Sequence, residues 1–191
     1  KTDIRLFGKP STRKYRRMGV VLTYGAVGDG TTARRLGELL TVAAAAEQLG
    51  VTEGALRLTG DYAKTREQFG RPIGSFQAIQ FKVALVSADL NAARLATWRA
   101  AWLRDRKLPH TLEAAQAKLV ASQVANRAAN EAVQIHGGAG YTTEFPVARY
   151  FRDARITELI EGSNQMQQVM IAQDALNAFA TRRRRARSRV T

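Results

Sequence analysis

The residues best able to do chemistry are polar side chains set beside glycines. Glu161-Gly162-Ser163 puts a carboxylate next to a residue with no side chain and just ahead of a hydroxyl. A positioned, desolvated carboxylate on such a loop can accept a proton. Taken alone, the triplet also reads as an ordinary turn with an N-cap. Gln134-Ile-His136-Gly137-Gly138 offers an amide and an imidazole, or simply a helix ending in a glycine cap. Gly28-Asp-Gly30 is too short for a dinucleotide fingerprint and lacks its strand–helix setting. Thiol and metal chemistry have little material. The chain has no Cys and two His, His110 and His136, so neither a disulfide nor a zinc site is expected.

These groups need elements to hold them. Phe76, Ile79, Val83, Val86, Leu90, Ala93, Thr97 and Ala100 recur at spacings of three and four, which predicts one stripe of a long helix. Leu39, Val42, Ala46, Leu49, Leu56 and Ala63 predict an earlier helix. Leu112, Ala115, Leu119, Ala129 and Val133 predict a third, with Thr111 as its N-cap. A fourth follows Ser163, with Met166, Val169 and Leu176 expected to face inward. Gly70, Pro72, Gly74, Pro109, Gly137, Gly138 and Gly140 separate them. The expected fold class is all-α, an antiparallel four-helix bundle over 36–180, with Phe76, Ile79, Val83, Val86 and Leu90 in its core. Residues 1–35 read differently: Val20-Val-Leu-Thr-Tyr24 has strand composition, and Gly25–Gly30 marks a turn.

The net charge of +14 is concentrated at the ends. Residues 1–20 carry +6 and the six arginines of 182–189 another +6, which leaves the rest near neutral. The body is therefore no basic patch, and no nucleic-acid partner is expected. Residues 181–191, whose arginines have no aromatic residue among them, read as a basic, disordered tail. No apolar run reaches transmembrane length and no signal peptide is recognisable, so neither a membrane nor an export route is expected. The absence of Cys is compatible with a cytoplasmic setting. Lys1 in place of Met suggests a processed or truncated chain.

Five blocks together carry a resemblance. They are Arg66-Glu-Gln-Phe69-Gly70-Arg-Pro-Ile73, then Phe76-Gln77-Ala-Ile79-Gln80, then Gln134-Ile-His136-Gly137-Gly138-Ala-Gly140-Tyr141 with Glu144-Phe-Pro146 and Arg149. Arg152-Asp153-Ala-Arg155-Ile156 and Ile160-Glu161-Gly162-Ser163-Asn-Gln165 follow. In order and spacing, residues 24–178 resemble the C-terminal helical domain of the acyl-CoA dehydrogenases. In that family a subunit also has an N-terminal helical domain and a middle β domain. Residues 1–35 would be a poorly matched remnant of the latter.

The resemblance implies flavin-dependent α,β-dehydrogenation of an acyl thioester, with FAD as cofactor. A carboxylate takes the α proton while hydride leaves the β carbon for the flavin. The base must be positioned and preferably desolvated, and the thioester oxygen needs hydrogen-bond donors as enolate character develops. By resemblance Glu161 is the base, and Gly162 allows close approach of the substrate. Arg66 resembles the residue that pairs with the flavin pyrophosphate, a task suited to a planar guanidinium. Phe69, Gln77, Gln134 and Gly138 resemble groups around the adenosine part, supplied by a neighbouring subunit. Ser163, standing where Thr is usual, and Gln165 resemble residues touching the flavin of their own site. Some relatives take the base from the first helix, where this chain has Leu40. Glu38, nearby, is not expected to replace it. Thr41 and Ile160 depart from residues common in the family. His136 is read as structural.

The implied partners are an acyl-CoA or acyl-carrier-protein substrate, a second copy in a homodimer or homotetramer, and an electron-transfer flavoprotein. Two other readings stay open: a flavin oxidase of the same fold, and a non-catalytic helical module or degenerate fragment.

Overall fold

A computed structural model describes residues 2–6, 19–23 and 30–187 of the 191, with side chains described over 37–177. The chain divides into two units, Lys1–Leu40 and Thr41–Thr191. In the first, strands β1 (Thr2–Leu6) and β2 (Gly19–Thr23) pair antiparallel, Thr2 opposite Thr23 and Leu6 opposite Gly19. The strand expected from Val20–Tyr24 is therefore present as far as Thr23. The Gly25–Asp29 part of the expected turn lies outside the described residues.

Helix α1 (Gly30–Thr65) begins in the first unit and enters the second. Its alanine run and lack of Pro favour a helix. Buried Thr52 and Thr59 satisfy their hydroxyls on the carbonyls four residues back, at 2.9 and 2.7 Å. The helix stops in a hairpin of β3 (Glu67–Gln68) and β4 (Arg71–Pro72), turned by Phe69 (φ 56°) and Gly70 (φ 77°). Two positive φ values in succession are what a two-residue hairpin needs. A 3₁₀ turn at Ile73–Ser75 then leads into α2 (Gln77–Asp105).

Helix α3 (Thr111–His136) is the centre of the bundle. Ala114, Ala115, Ala117, Ala121, Ala125, Ala128, Ala129 and Ala132 are all buried on it, so neighbouring helices approach closely. Val42, Ala45 and Leu49 of α1 share one core cluster with Leu90, Ala93 and Ala100 of α2 and Ala114, Ala117, Ala121 and Val124 of α3. Farther along, Ala55 meets Val86, Ala128 and Ala132. The pairing order shows α1 and α3 running one way and α2 the other. A 3₁₀ turn (Gly137–Tyr141) reverses the chain into α4 (Val147–Ile156), which packs Val147 and Ala154 against α3. Helix α5 (Asn164–Arg187) also packs on α3.

The all-α bundle expected from the sequence is thus observed, with differences in detail. Val86 and Leu90 are buried, but Phe76, Ile79 and Val83 are only half-buried. Ala46 of the first stripe is exposed. On α5 the expected inward face is the outer one: Met166, Val169 and Leu176 are exposed, while Asn164 and Gln167 are buried. Three–four spacing locates a stripe but not the side on which the neighbour lies. Thr111 begins α3, but its N-cap position is held by His110, with no side-chain cap bond. Helix α4 was not anticipated, being only ten residues long and largely polar. The expected 35/36 and 180/181 boundaries fall inside α1 and α5.

Candidate active site

The Glu161 turn links α4 to α5. Glu161 (φ 51°) and Gly162 (φ 84°) both adopt the left-handed conformation, which costs a non-glycine residue about 1–2 kcal/mol. Such strain persists only where the surroundings hold it. Here the backbone N–H of Asn164 donates to Glu158 O at 2.9 Å and closes the loop that contains Glu161. Glu161 itself is exposed.

Beneath the turn lies a layer of polar side chains, most of them buried, from the three helices α1, α3 and α5. Gln48 of α1 donates to Thr157 O (3.3 Å), and Asn126 of α3 donates to Ala154 O (2.9 Å). Gln167 of α5 donates to Gly162 O at 3.2 Å. Lys118 Nζ and Ser122 Oγ of α3 both donate to Asn164 Oδ1, each at 3.0 Å. Lys118 has 0% of its surface exposed. Burial lowers its pKa from the ordinary 10.5, and the nearby Glu158 and Glu161 carboxylates work against that shift. Burying an ammonium costs several kcal/mol unless it is paired and hydrogen-bonded. None of these supports was singled out in the sequence; Lys118 and Ser122 stand four apart on an alanine-rich face, which is the only signal of them.

The other candidate residues gather at one end of the bundle, because α1 ends, α2 begins and α3 ends there. Arg66 follows α1 directly, and its peptide N–H and C=O both engage the local backbone, bonding Tyr62 O and Ile73 N. Phe69 sits at the hairpin tip, 91% exposed, with its ring edge-on to Phe76 at 6.1 Å. Arg71 covers Phe76 at 4.2 Å. Gln77 opens α2, Gln134 lies in the last turn of α3, and Gly138 in the turn after it; all three are exposed.

Under this end, His136 stacks on Tyr62 (ring centroids 4.1 Å apart), with Phe145 edge-on to both. His136 is buried and its Nδ1–H donates to Ala132 O at 2.7 Å. It therefore packs as a structural residue. Burial lowers its pKa below the ordinary 6.5, against the opposing effect of that hydrogen bond. The neutral ring is the one the fold accommodates. Stability from this group is therefore complete above pH 6.5 and is lost as pH falls through the lowered folded value. Melting temperatures should decline below about pH 6.5, and His136→Phe should flatten that part of the profile. A variant profile as steep as that of the parent chain would remove His136 as the cause.

The two groups do not meet within one chain. Asn164 touches α3 at Ser122, twelve residues before Gln134, which at 1.5 Å per residue is about 18 Å. Glu161, Gly162, Ser163 and Gln165 thus form one group of candidate residues, and Arg66, Phe69, Gln77, Gln134 and Gly138 form another.

Residues 40–176 match the family described as acyl-CoA dehydrogenase, C-terminal domain, while residues 1–34 match one described as PurT, C-terminal. The probable acyl-CoA dehydrogenase YngJ of Bacillus subtilis is 48% identical over 135 residues, covering 71% of this chain and 36% of that protein. The short-chain specific acyl-CoA dehydrogenase of rat mitochondria is 47% identical over 135 residues, covering 71% and 33%. The structure of butyryl-CoA dehydrogenase from Megasphaera elsdenii superposes with a TM-score of 0.75 at 42% identity, covering 78% of this chain and 39% of that one. The chain spans about a third of the length of the curated relatives it matches. With its bundle, its Glu161 turn and a match over residues 40–176, this chain belongs to the acyl-CoA dehydrogenase family and carries that family's C-terminal helical domain.

Proposed function

We propose that this chain supplies the proton-abstracting half-site of an FAD-dependent acyl-thioester dehydrogenase, with Glu161 as the base. The observation that carries the reading is the Glu161 turn: a glutamate held exposed in left-handed backbone above a layer of buried, hydrogen-bonded polar side chains. Glu161 removes the α proton of an acyl group carried on CoA or on a carrier protein. The Glu161 backbone N–H donates to the thioester oxygen as negative charge develops there. Gly162, with no side chain, leaves room for the substrate to approach.

The residue types suit a flavin dinucleotide. Arg66 would hold the pyrophosphate, the exposed Phe69 ring and the amides of Gln77 and Gln134 would meet the adenosine, and Gly138 would let it approach the backbone. Ser163 and Gln165 would touch the flavin beside Glu161. Bound flavin supplies the acceptor for the β hydrogen as hydride, and an electron-transfer flavoprotein then takes the electrons. The test is a chimera in which residues 40–176 replace the matching domain of the Megasphaera enzyme. It should purify yellow and bleach with acyl-CoA under anaerobic conditions. A folded chimera that is yellow but does not bleach would overturn the reading.

The separation of the two half-sites supports assembly as a homodimer or homotetramer, in which Arg66, Gln77 and Gln134 of one copy complete the site of another. Exposed apolar side chains supply surface for it: Phe81, Leu85, Leu95, Trp98 (62% exposed) and Trp102 on α2, and Met166, Val169 and Leu176 on α5. Sedimentation should show a dimer or tetramer, and Trp98→Glu should shift it toward monomer. A monomer at high concentration would contradict this.

A further inference from the structure

We propose that Lys118 is the positioning residue of the Glu161 turn, fixing the start of α5 to α3 through its buried hydrogen bond to Asn164. The proposal rests on the reading of Glu161 as the base for its functional meaning, but its structural content stands apart from that reading.

Asn164 is the buckle of this loop. Its backbone N–H donates to Glu158 O and closes the segment around Glu161. Its side-chain oxygen accepts from Lys118 and from Ser122, both at 3.0 Å. The loop is thus closed on itself by one bond and fastened to α3 by two. An apolar side chain of similar length would fill the space of Lys118 without burying a charge. What the ammonium adds is the bond to Asn164 and a cation close to Glu158 and Glu161. Glu158 is in turn paired with Arg155.

The test uses the 191-residue chain without flavin or substrate and reads amide hydrogen exchange. The probes are the amides of Asn164 and Gln167, bonded to Glu158 O and Ser163 O. Lys118→Met should speed their exchange at least ten-fold while amides of Leu90 and Ala93 in the α2 core change less than two-fold. Ser122→Ala, which removes the other donor and leaves the lysine, should produce a smaller change at the same two amides. Asn164→Asp keeps the acceptor and should retain protection that Asn164→Leu loses. Should Lys118→Met fail to fold, Ser122→Ala and the Asn164 pair decide the matter. Uniform acceleration, or none at these two amides, overturns the proposal. A second readout is the titration of Lys118 by NMR of labelled lysine. Glu161→Gln should move it to lower pH, whereas Glu67→Gln, on the distant hairpin, should not. An unmoved Lys118 titration would also overturn it. Failure of Glu161 as a base would show only in the anaerobic bleaching and would leave both readouts intact.

Discussion

In the chimera that carries residues 40–176, Glu161→Gln should slow anaerobic bleaching by acyl-CoA at least about 100-fold, the usual contribution of a positioned base. That factor corresponds to about 2.7 kcal/mol of transition-state stabilisation. Glutamine keeps the size and shape of the side chain and removes only the proton acceptor. The turn is held through the Thr157 and Gly162 carbonyls and the Asn164 side chain, not through the Glu161 carboxylate. The variant should therefore fold and bind flavin nearly as the parent does. Stopped-flow absorbance after mixing with substrate reads the rate directly. Bleaching by the Gln variant as fast as by the parent would show that Glu161 is not the base.

The local chain around the candidate site was legible because its parts are short. Glu161-Gly162-Ser163 stood out as a carboxylate beside a glycine at a helix start, and α5 does begin at Asn164. The breakers Gly70, Pro109 and Gly137 lie in the connections between the helices. What stayed hidden is what holds the turn. Lys118, Gln48, Asn126 and Gln167 are polar residues on inward faces, and a reading that counts apolar spacing passes over them. Their value comes from partners distant in sequence: Gln48 and Thr157 are 109 positions apart. The same limit explains α5, whose apolar stripe was found correctly but assigned to the wrong side. The first turn of α5 buries polar Asn164 and Gln167 in the layer under Glu161, while Met166, Val169 and Leu176 lie on the outer face. The separation of the two groups of candidate residues is implied only by the family resemblance, which assigns them to neighbouring subunits; composition and spacing do not show which ends of the helices coincide.

Gly162→Ala should destabilise the chain by about 2–3 kcal/mol and disturb the Glu161 turn as well. The residue sits at φ 84°, where an alanine costs about 1–2 kcal/mol. A Cβ there would lie 2.6 Å from Gln167 Nε2, the atom that donates to Gly162 O. On the surface a glutamine would swing aside at little cost. Gln167 is buried, and its Oε1 already lacks a partner among the described residues. Moving it forfeits the Gly162 bond, worth about 1 kcal/mol net. For a chain of this length the melting temperature should fall by roughly 4–12 °C. Gly70→Ala is the control, because that glycine has φ 77° but no atom within 4 Å of the added Cβ. It carries the backbone cost alone, so its loss should be about half as large. Calorimetry on the two variants separates strain from displacement. Equal losses would mean that Gln167 yields freely and that the layer under Glu161 is softer than its hydrogen bonds imply. A larger loss in Gly162→Ala, accompanied by slower bleaching in the chimera, would tie the packing under the turn to the placement of its carboxylate.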